Sequence, residues 1–277
     1  FGLYDLIGID LMSDVAQSLI NILPKDDAFH DVSNVIPIMG RMIDEGRIGD
    51  KGGKGGFYNY IISGDNSSKQ TLEFTNFTYR DFDKGKPSIA IEAEEKDDFT
   101  LMLEGTDRFS IYAWKIISNT LCYAASLVPK VNESIVSIDD AMKLGYNWTR
   151  GPFEMLDTIG VDKFIKRLRD EKKDIPPFLQ RAAGKTFYRA FENNLEYLLA
   201  EGNYAPIRHD YGIRRFTEER KIIKPIVENA SASYFDIGHD IGMVEFHSKA
   251  NTLDSFSMNL LDKAVSHATH NFRGLII

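Results

Sequence analysis

The sequence predicts a mainly α-helical protein built from two tandem copies of one helical unit, each with a small β-hairpin, followed by an incomplete α/β segment. A ten-residue motif that occurs twice predicts the tandem copies. Apolar residues spaced three and four apart predict the helices, and a strand–helix–strand pattern near the end predicts the α/β segment. With 277 residues, of which 43% are hydrophobic and 27% charged, the chain has the composition of an ordinary globular protein.

The repeat is visible in two decapeptides, FGLYDLIGID at 1–10 and FEMLDTIGVD at 153–162, which share Phe, Asp, Ile, Gly and Asp at the same positions. Later in each copy a Phe-Tyr pair, at 57–58 and at 187–188, begins a hairpin pattern of apolar runs around turn-forming residues. The expected strands are 58–62 and 71–77 around a turn at 64–68 in the first copy, and 187–191 and 195–199 around a turn at 192–194 in the second. Asp5 and Asp157 recur in the motif, and we interpret them as structural, through capping or a buried hydrogen bond, not as a catalytic pair.

Two longer helices are predicted from periodicity and charge. Residues 107–128 carry one apolar stripe, which consists of Phe109, Ala113, Ile116, Ile117, Leu121, Ala124 and Val128. Residues 162–172 form a basic helix, which we interpret as a solvated face in preference to a phosphate-binding patch.

Capping signals predict the helices between them. Ser137 resembles an N-cap that opens a short helix through Leu144, with Gly145 at the left-handed position after its end. Gly151-Pro152 predicts the start of the repeated helix, because proline at the first helical position lacks only an N–H that would be unpaired anyway. Gly160 is predicted to end that helix.

The last part of the chain changes character. Strands are predicted at 234–237, 241–246 and 273–277, with an amphipathic helix at 254–270 between the second and third. This order is typical of a parallel α/β domain, too short here to be complete. Residues 209–233, which are polar and of mixed charge, predict a linker.

Charge and composition exclude several classes of protein. The net charge of −8 disfavours a sequence-independent nucleic-acid binder, and no run of 18 apolar residues predicts a membrane-spanning helix. The single cysteine, Cys122, cannot form an internal disulfide and lies in an apolar stretch that predicts packing over reactivity. A reducing, cytoplasmic location fits this cysteine usage.

Local motifs point to no chemistry of their own. The glycine-rich stretch 46–56 lacks the spacing of a phosphate-binding P-loop, and a mobile surface loop is the preferred interpretation over ligand contact. His267 and His270 lie three apart on a predicted helix but have no third ligand in the pattern, so no metal site is expected. No set of nucleophile, base and orienting residue can be assigned from spacing, so no catalytic residue is proposed.

Both ends predict an internal fragment of a longer protein. The chain starts at Phe1 without an initiator methionine, and it stops at the apolar triplet Leu275-Ile276-Ile277, which is typical of a buried strand.

The second decapeptide, preceded by GYNWTRGP at 145–152 and DAMKLGY at 140–146, resembles the C-terminal helical domain of 3-hydroxyacyl-CoA dehydrogenases. In the first copy, residues 45–58 look like the Gly-Lys-Gly-Phe-Tyr signature of that family, with one extra glycine and Gly52 where threonine is usual. The resemblance implies a first, N-terminally truncated C-terminal domain at 1–98 and a second at 99–208, followed by the linker 209–233. In single-copy members the helical domain pairs with its copy across a dimer. Two copies on one chain would mimic that interface, with roughly 1,600 Å² buried in total.

Residues 243–254, MVEFHSKANTLD, resemble the first strand and loop of the enoyl-CoA hydratase (crotonase) family, so that 234–277 would begin a crotonase-like domain. In that family the matching loop runs past CoA, which makes Lys249 and Ala250 candidate substrate-binding residues.

Together the two resemblances imply a bifunctional enzyme of fatty-acid β-oxidation, in which NAD-dependent oxidation of a 3-hydroxyacyl-CoA accompanies hydration of an enoyl-CoA. The NAD-binding Rossmann domain with its His–Glu pair would lie upstream, and the hydratase glutamates and oxyanion-hole amides would lie downstream. The chain itself would therefore be inactive and would supply a wall of the substrate cleft and the dimer-mimicking scaffold. The implied partners are an acyl-CoA substrate and either a second copy of the enzyme or a thiolase.

Two alternatives stay open at this point. The chain could be a non-catalytic helical interaction scaffold, or it could belong to a β-hydroxyacid dehydrogenase that acts on free acids. The crotonase-like tail argues against the second alternative, because that fold handles thioesters.

Overall fold

The computed structural model describes residues 1–33, 37–63, 66–83, 85–192 and 194–277. Its chain divides into two compact units, Phe1–Met102 and Leu103–Ile277. Helices dominate the described residues, as the sequence predicts, and the strands form three small sheets. Within the described ranges, no helix combines the length and the apolarity that crossing a membrane requires.

The first unit places a three-stranded antiparallel sheet beside short helices. Its elements are α1 (Gly2–Ile7), α2 (Ile9–Ile22), α3 (Phe29–Ser33), α4 (Pro37–Asp44), a 3₁₀ turn (Asp50–Gly52), β1 (Tyr58–Ser63), β2 (Asn66–Glu73), β3 (Thr78–Asp81), α5 (Ser88–Glu95) and α6 (Leu101–Glu104), whose end lies in the second unit. The sheet order is β1-β2-β3, with Tyr58 opposite Thr71 and Leu72 opposite Tyr79. Its core joins α2 and α4 to the sheet through Ile9, Met39, Met42, Phe57, Leu72 and Phe77.

The glycine-rich stretch 46–56 wraps closely around α1. A Cβ at Gly56 would lie 2.1 Å from the Asp5 Oδ1 atom, and one at Gly49 would lie 2.3 Å from the Asp5 carbonyl oxygen. Lys51 Nζ lies 2.9 Å from Asp10 Oδ1 on α2. Close packing against α1 therefore accounts for two of these glycines without any ligand.

The second unit begins with a helical lobe. Its elements are α7 (Arg108–Ser126), α8 (Ile135–Tyr146), α9 (Pro152–Ile159), α10 (Val161–Asp170), α11 (Pro177–Arg181), β4 (Tyr188–Phe191), β5 (Asn194–Leu198), β6 (Tyr204–Pro206) and α12 (Phe216–Glu219). Strands β4-β5-β6 form a second antiparallel sheet. Phe153, Phe178 and Phe187, all fully buried, pack edge to face with ring centroids 4.9–5.9 Å apart. These aromatic rings join α9, α11 and the start of β4 into one core.

The helix at 107–128 is confirmed, but its buried face differs from the predicted stripe. Phe109 and Ile116 are 46% and 48% exposed, whereas Trp114 and Leu121 are buried. Trp114 packs against Phe164 of α10, with ring centroids 5.3 Å apart. The core face also contains Ser110 and Ser118, which an apolar count passes over because they are small and polar.

The boundaries of α8 correct the sequence prediction. The helix begins at Ile135 rather than after Ser137, and it ends at Tyr146 with Asn147 in the left-handed conformation (φ 54°) rather than Gly145. Ser137 is therefore not the N-cap, which is Ser134, and Asp139 of this helix accepts a hydrogen bond from the Phe153 amide at the N-terminus of α9. The predicted start and end of α9, at Gly151-Pro152 and Gly160, are confirmed, as is α10.

Both predicted hairpins are present, but the returning strand of the first is β2 (Asn66–Glu73) and not 71–77, because residues 74–77 form the turn into β3. Each hairpin gains a third strand that the sequence did not predict. β3 and β6 are only four and three residues long and have no buried residue, so they lack an apolar signal. In the first turn, residues 64 and 65 lie outside the described residues and β2 begins at Asn66. Residue 193 of the second turn also lies outside them.

The α/β segment contains β7 (Val227–Glu228), β8 (Ala232–Asp236), β9 (Ile241–Phe246), a 3₁₀ turn (Lys249–Asn251), α13 (Ser255–Asn271) and β10 (Gly274–Ile276). The sheet order is β10-β9-β8-β7, in which β8 and β9 are antiparallel and β10 pairs parallel to β9. Its core consists of Ala232, Tyr234, Val244, Leu260 and Ala264. The predicted parallel strand–helix–strand unit is confirmed.

Candidate functional site

The helical lobe contains a cavity of about 840 Å³. It lies between α8, α9, the start of β4 and residues 215–221. The lining residues are predominantly charged or polar: Asp140, Lys143, Leu144, Thr149, Arg150, Glu154, Asp157, Thr158, Tyr188, Arg215, Thr217, Glu218, Arg220 and Lys221. This charged cavity is the candidate functional site.

Glu154, in the first turn of α9, contacts two ammonium groups and one backbone amide. Its Oε1 atom lies 2.9 Å from Lys221 Nζ and 3.3 Å from Lys143 Nζ, and its Oε2 atom accepts a hydrogen bond of 3.0 Å from the Gly151 amide. Burial disfavours the charged carboxylate, but the Gly151 N–H and the two ammonium groups outweigh it, so the pKa of Glu154 is lowered. Glu154 is therefore an ionised acceptor that brings two cations to the cavity.

Asp157, one turn further along α9, holds the start of β4. Its carboxylate accepts hydrogen bonds from both amides of the Phe187-Tyr188 pair, at 2.7 and 2.8 Å. In the first unit, Asp5 accepts from the amides of the Phe57-Tyr58 pair in the same way, at 2.8 and 2.7 Å. The predicted structural role of the two recurring aspartates is confirmed, since each uses both oxygens to fix the first residues of a sheet.

Asp139 of α8 lies beneath the cavity and is fully buried. Its Oδ1 atom accepts from the Phe153 amide at 2.8 Å, and its Oδ2 atom accepts from the Glu154 amide at 3.2 Å and from the Tyr188 hydroxyl at 2.8 Å. Together with Asp157, these bonds form a closed ring that ties α8, α9 and β4. Gly151 is required here, because a Cβ at that position would lie 2.3 Å from the Cβ of Asp139.

Burial determines the protonation state of the two carboxyl groups and the hydroxyl group in this ring. It raises the pKa of Asp139 to about 7 and that of Asp157 to about 6, although the hydrogen bonds from backbone amides oppose the rise in both cases. Burial, followed by the charge of Asp139, also raises the pKa of the Tyr188 hydroxyl. Tyr188 therefore stays a neutral donor, while Asp139 can hold a proton near neutral pH at an atom sealed from solvent.

The cavity is equipped to hold charged groups. Its ion pairs join Lys143 and Lys221 to Glu154, and Arg215 to Asp140. In the part of the chain that the structure describes, no three His, Cys, Asp or Glu residues are arranged to hold a metal ion. His267, considered above as a ligand, has its Nδ1 atom 3.2 Å from the Tyr234 hydroxyl.

The two residues predicted to bind substrate lie elsewhere. Lys249 and Ala250 belong to the 3₁₀ turn after β9, where Ala250 adopts a left-handed backbone conformation (φ 57°), and Ala250 does not line the cavity. Cys122 is half-buried on α7, and burial raises the pKa of its thiol to about 11, which keeps it protonated.

Sequence reasoning missed the residues that the cavity brings together. No role was assigned to Asp139 from the sequence, and Lys221 was assigned to a linker. The signal that could have found them is the Gly151-Pro152 pair, because a glycine before a helix leaves room for a neighbouring side chain at the helix N-terminus.

Comparisons with known proteins give the relationship of the chain. Residues 112–195 match the family model for the 3-hydroxyacyl-CoA dehydrogenase C-terminal domain. A probable 3-hydroxyacyl-CoA dehydrogenase of Bacillus subtilis is 29% identical over 285 residues, and putative fatty acid oxidation complex trifunctional enzymes of Rickettsia felis and Rickettsia prowazekii are 29% and 30% identical over 280 and 281 residues. Each match covers 100% of this chain but 35% of the relative, so the chain spans about a third of the length of these curated relatives.

No solved structure matches the chain. The family match covers the supporting ring and the cavity wall formed by α8, α9 and β4, but not the wall formed by residues 215–221. The chain is thus similar to part of these 3-hydroxyacyl-CoA dehydrogenases, and the similarity to the C-terminal domain of that family lies at residues 112–195.

Proposed function

We propose that this chain is part of a bifunctional enzyme of fatty-acid β-oxidation, an NAD-dependent 3-hydroxyacyl-CoA dehydrogenase with enoyl-CoA hydratase activity. In this proposal it supplies two tandem C-terminal helical domains, which wall the substrate cleft and mimic a dimer, and the start of a crotonase-like domain. The observation that carries the proposal is the family match at residues 112–195. Alignment of the whole chain with relatives whose names include fatty acid oxidation trifunctional enzymes adds support.

Two structural features support the finer parts of the proposal. The hydrogen bonds that the Phe57-Tyr58 amides donate to Asp5 and those that the Phe187-Tyr188 amides donate to Asp157 join the same atoms, with lengths that agree within 0.1 Å. This agreement favours descent of both lobes from one ancestor. The parallel strand–helix–strand unit β9–α13–β10 favours a domain that continues as an α/β fold.

NAD does not fit the strand–helix junction that this chain offers. A dinucleotide site needs a glycine-rich turn between strand and helix and a free helix N-terminus for the pyrophosphate. After β9 the connection to α13 contains no glycine, and the Asp254 carboxylate already accepts from the Ser257 amide at 2.8 Å. We therefore assign NAD to a domain outside these residues.

The test is oxidation of a 3-hydroxyacyl-CoA by the longer protein that contains this chain. The reaction is followed as NADH absorbance at roughly 340 nm. The expected result is turnover by the longer protein and none by the 277-residue chain. A coding frame upstream of Phe1 without a Gly-x-Gly-x-x-Gly turn after a strand would contradict the proposal.

The alternative is a non-catalytic interaction scaffold. The exposed apolar residues of α7, Phe109, Tyr112 and Ile116, are 46%, 64% and 48% exposed and favour a role in protein contact. The same assay separates the two, because a scaffold would show no NADH formation in any longer form.

The remaining expectations belong to the same proposal: an acyl-CoA substrate, a second copy or a thiolase as partner, a cytoplasmic location, and CoA contacts at Lys249 and Ala250. The last is tested by CoA titration of the longer protein. We expect weaker binding for Lys249→Met and unchanged binding for Lys263→Met, a control on α13.

A further inference from the structure

The segment predicted to be a linker is held to the helical lobe and to the α/β segment by charges. We call residues 214–221 the clasp. It contains α12, which is only four residues long and has no buried residue. Its aromatic contact is between Phe216 and Phe235 of β8, with ring centroids 4.9 Å apart. So little buried apolar surface leaves the position of the clasp to be decided by its ion pairs.

On one side the clasp pairs with the helical lobe. Arg215 forms an ion pair with Asp140 of α8, and Lys221 Nζ lies 2.9 Å from Glu154 Oε1 of α9. The two cations are 40% and 41% exposed at their side chains. They form one wall of the charged cavity described above.

On the other side the clasp pairs with the α/β segment. Arg220 lies 2.6 Å from a carboxylate oxygen of Glu245 on β9, and the Arg214 guanidinium donates a hydrogen bond of 2.8 Å to the carbonyl oxygen of Ile237 after β8. The Arg220 and Arg214 side chains are 46% and 48% exposed. The same eight residues therefore connect the cavity wall to the sheet of the neighbouring segment.

We propose that the clasp is a charge-held gate of the cavity, which opens reversibly while the helical lobe and the α/β sheet stay folded. Ion pairs whose cations are 40–46% exposed contribute little each and are screened by salt, with a Debye length of about 10 Å at 0.1 M. Three such pairs, made by Arg215, Lys221 and Arg220, close the gate. Opening removes one wall of the cavity and frees Glu154 and Asp140, which keep their contacts with Lys143, to bind other cationic groups. This inference does not depend on the proposed function.

Hydrogen exchange of the 277-residue chain tests the gate. The amides of Arg220, Lys221, Ile222 and Ile223 are hydrogen-bonded within the clasp and report its opening. On raising NaCl from about 0.05 to about 0.5 M, we expect their exchange to accelerate roughly 10-fold, because three exposed pairs are weakened together. Amides in α9 and β8 should keep their rates, since the gate opens without unfolding either element.

Variants separate the ion pairs from a general effect of salt. The double variant Arg215→Met and Lys221→Met should exchange quickly at the clasp already in low salt and should respond little to further salt. Lys166→Met removes an exposed pair with Asp170 on α10, outside the cavity lining, and should behave as the unmodified chain.

The proposal is wrong if salt leaves clasp exchange unchanged, or if the clasp amides exchange only together with those of α9 and β8. A double variant that keeps the full salt response would also overturn it. The salt titration uses the unmodified chain, so the outcome is decided even if the double variant does not fold.

Discussion

The buried carboxyl of Asp139 should make the protein less stable as the pH rises. Its pKa is raised from 3.8 to about 7 by burial, so the folded protein favours the protonated form. A group of this kind stabilises the fold fully below pH 4, and the contribution is lost as the pH rises through 7. Three units of pKa correspond to about 4 kcal/mol.

Asp139→Asn isolates this effect, because an amide imitates the protonated carboxyl. Its Oδ1 atom can accept from the Phe153 amide and its Nδ2 atom can donate to the Tyr188 hydroxyl, while the Glu154 amide loses its acceptor. The lost hydrogen bond costs about 1 kcal/mol. We therefore expect the variant to be slightly less stable than the unmodified chain at pH 5 and more stable by a few kcal/mol at pH 8.5.

Urea unfolding followed by circular dichroism at several pH values measures the difference. Asp107→Asn is the control of opposite sign. The Ser110 hydroxyl and the Phe109 amide hold the pKa of Asp107 below its usual value, so its contribution should be lost only toward acid pH and should be constant above pH 5. If the difference between Asp139→Asn and the unmodified chain is constant from pH 5 to 8.5, or falls, the reasoning about burial is refuted.

Two further substitutions test the ring around Asp139. Gly151→Ala places a Cβ 2.3 Å from the Cβ of Asp139 and should lower the free energy of unfolding by about 1–3 kcal/mol. Gly145→Ala on α8 meets no atom within 4 Å and should raise it by about 0.5–1 kcal/mol. Thermal unfolding compares the two variants, and equal effects would contradict the predicted clash. Tyr188→Phe removes the 2.8 Å hydrogen bond to Asp139 and should cost about 1–2 kcal/mol in urea unfolding at pH 5, while the 70% exposed Tyr146 should tolerate the same change. A loss as large for Tyr146→Phe would show that the ring is not responsible.

The sequence predicted correctly those helix boundaries that depend on the backbone preferences of single residues. Gly151-Pro152 and Gly160 bound α9 as expected, because a proline at the first turn and a glycine at positive φ act through their own backbone. The boundaries of α8 were missed because Ser134 and Asn147, which are also favoured cap residues, lie near Ser137 and Gly145 and are the caps that the structure uses. β3 and β6 were missed since their pairing, not their composition, makes them strands.

The candidate site was predicted only in part. The paired aspartates were identified as structural from the repeat, and their amide partners turned out to be the Phe-Tyr pairs that the repeat also marks. The cavity could not be predicted, because its charges come from α8, α9 and the clasp, which are 75 residues apart in the Arg215–Asp140 pair and 67 in Lys221–Glu154. Lys249 and Ala250 remain a prediction from resemblance.

By itself, the sequence determined the mainly helical class, the two recurring motifs and the parallel strand–helix–strand unit. Each of these rests on periodicity or on the conformational preference of single residues, which act over a few positions. The tertiary structure alone decided which face of α7 is buried, where the Asp139 carboxylate is directed and which charges meet in the cavity. Those outcomes depend on burial and pairing between distant segments, and the free energy of such contacts exists only once the chain has folded.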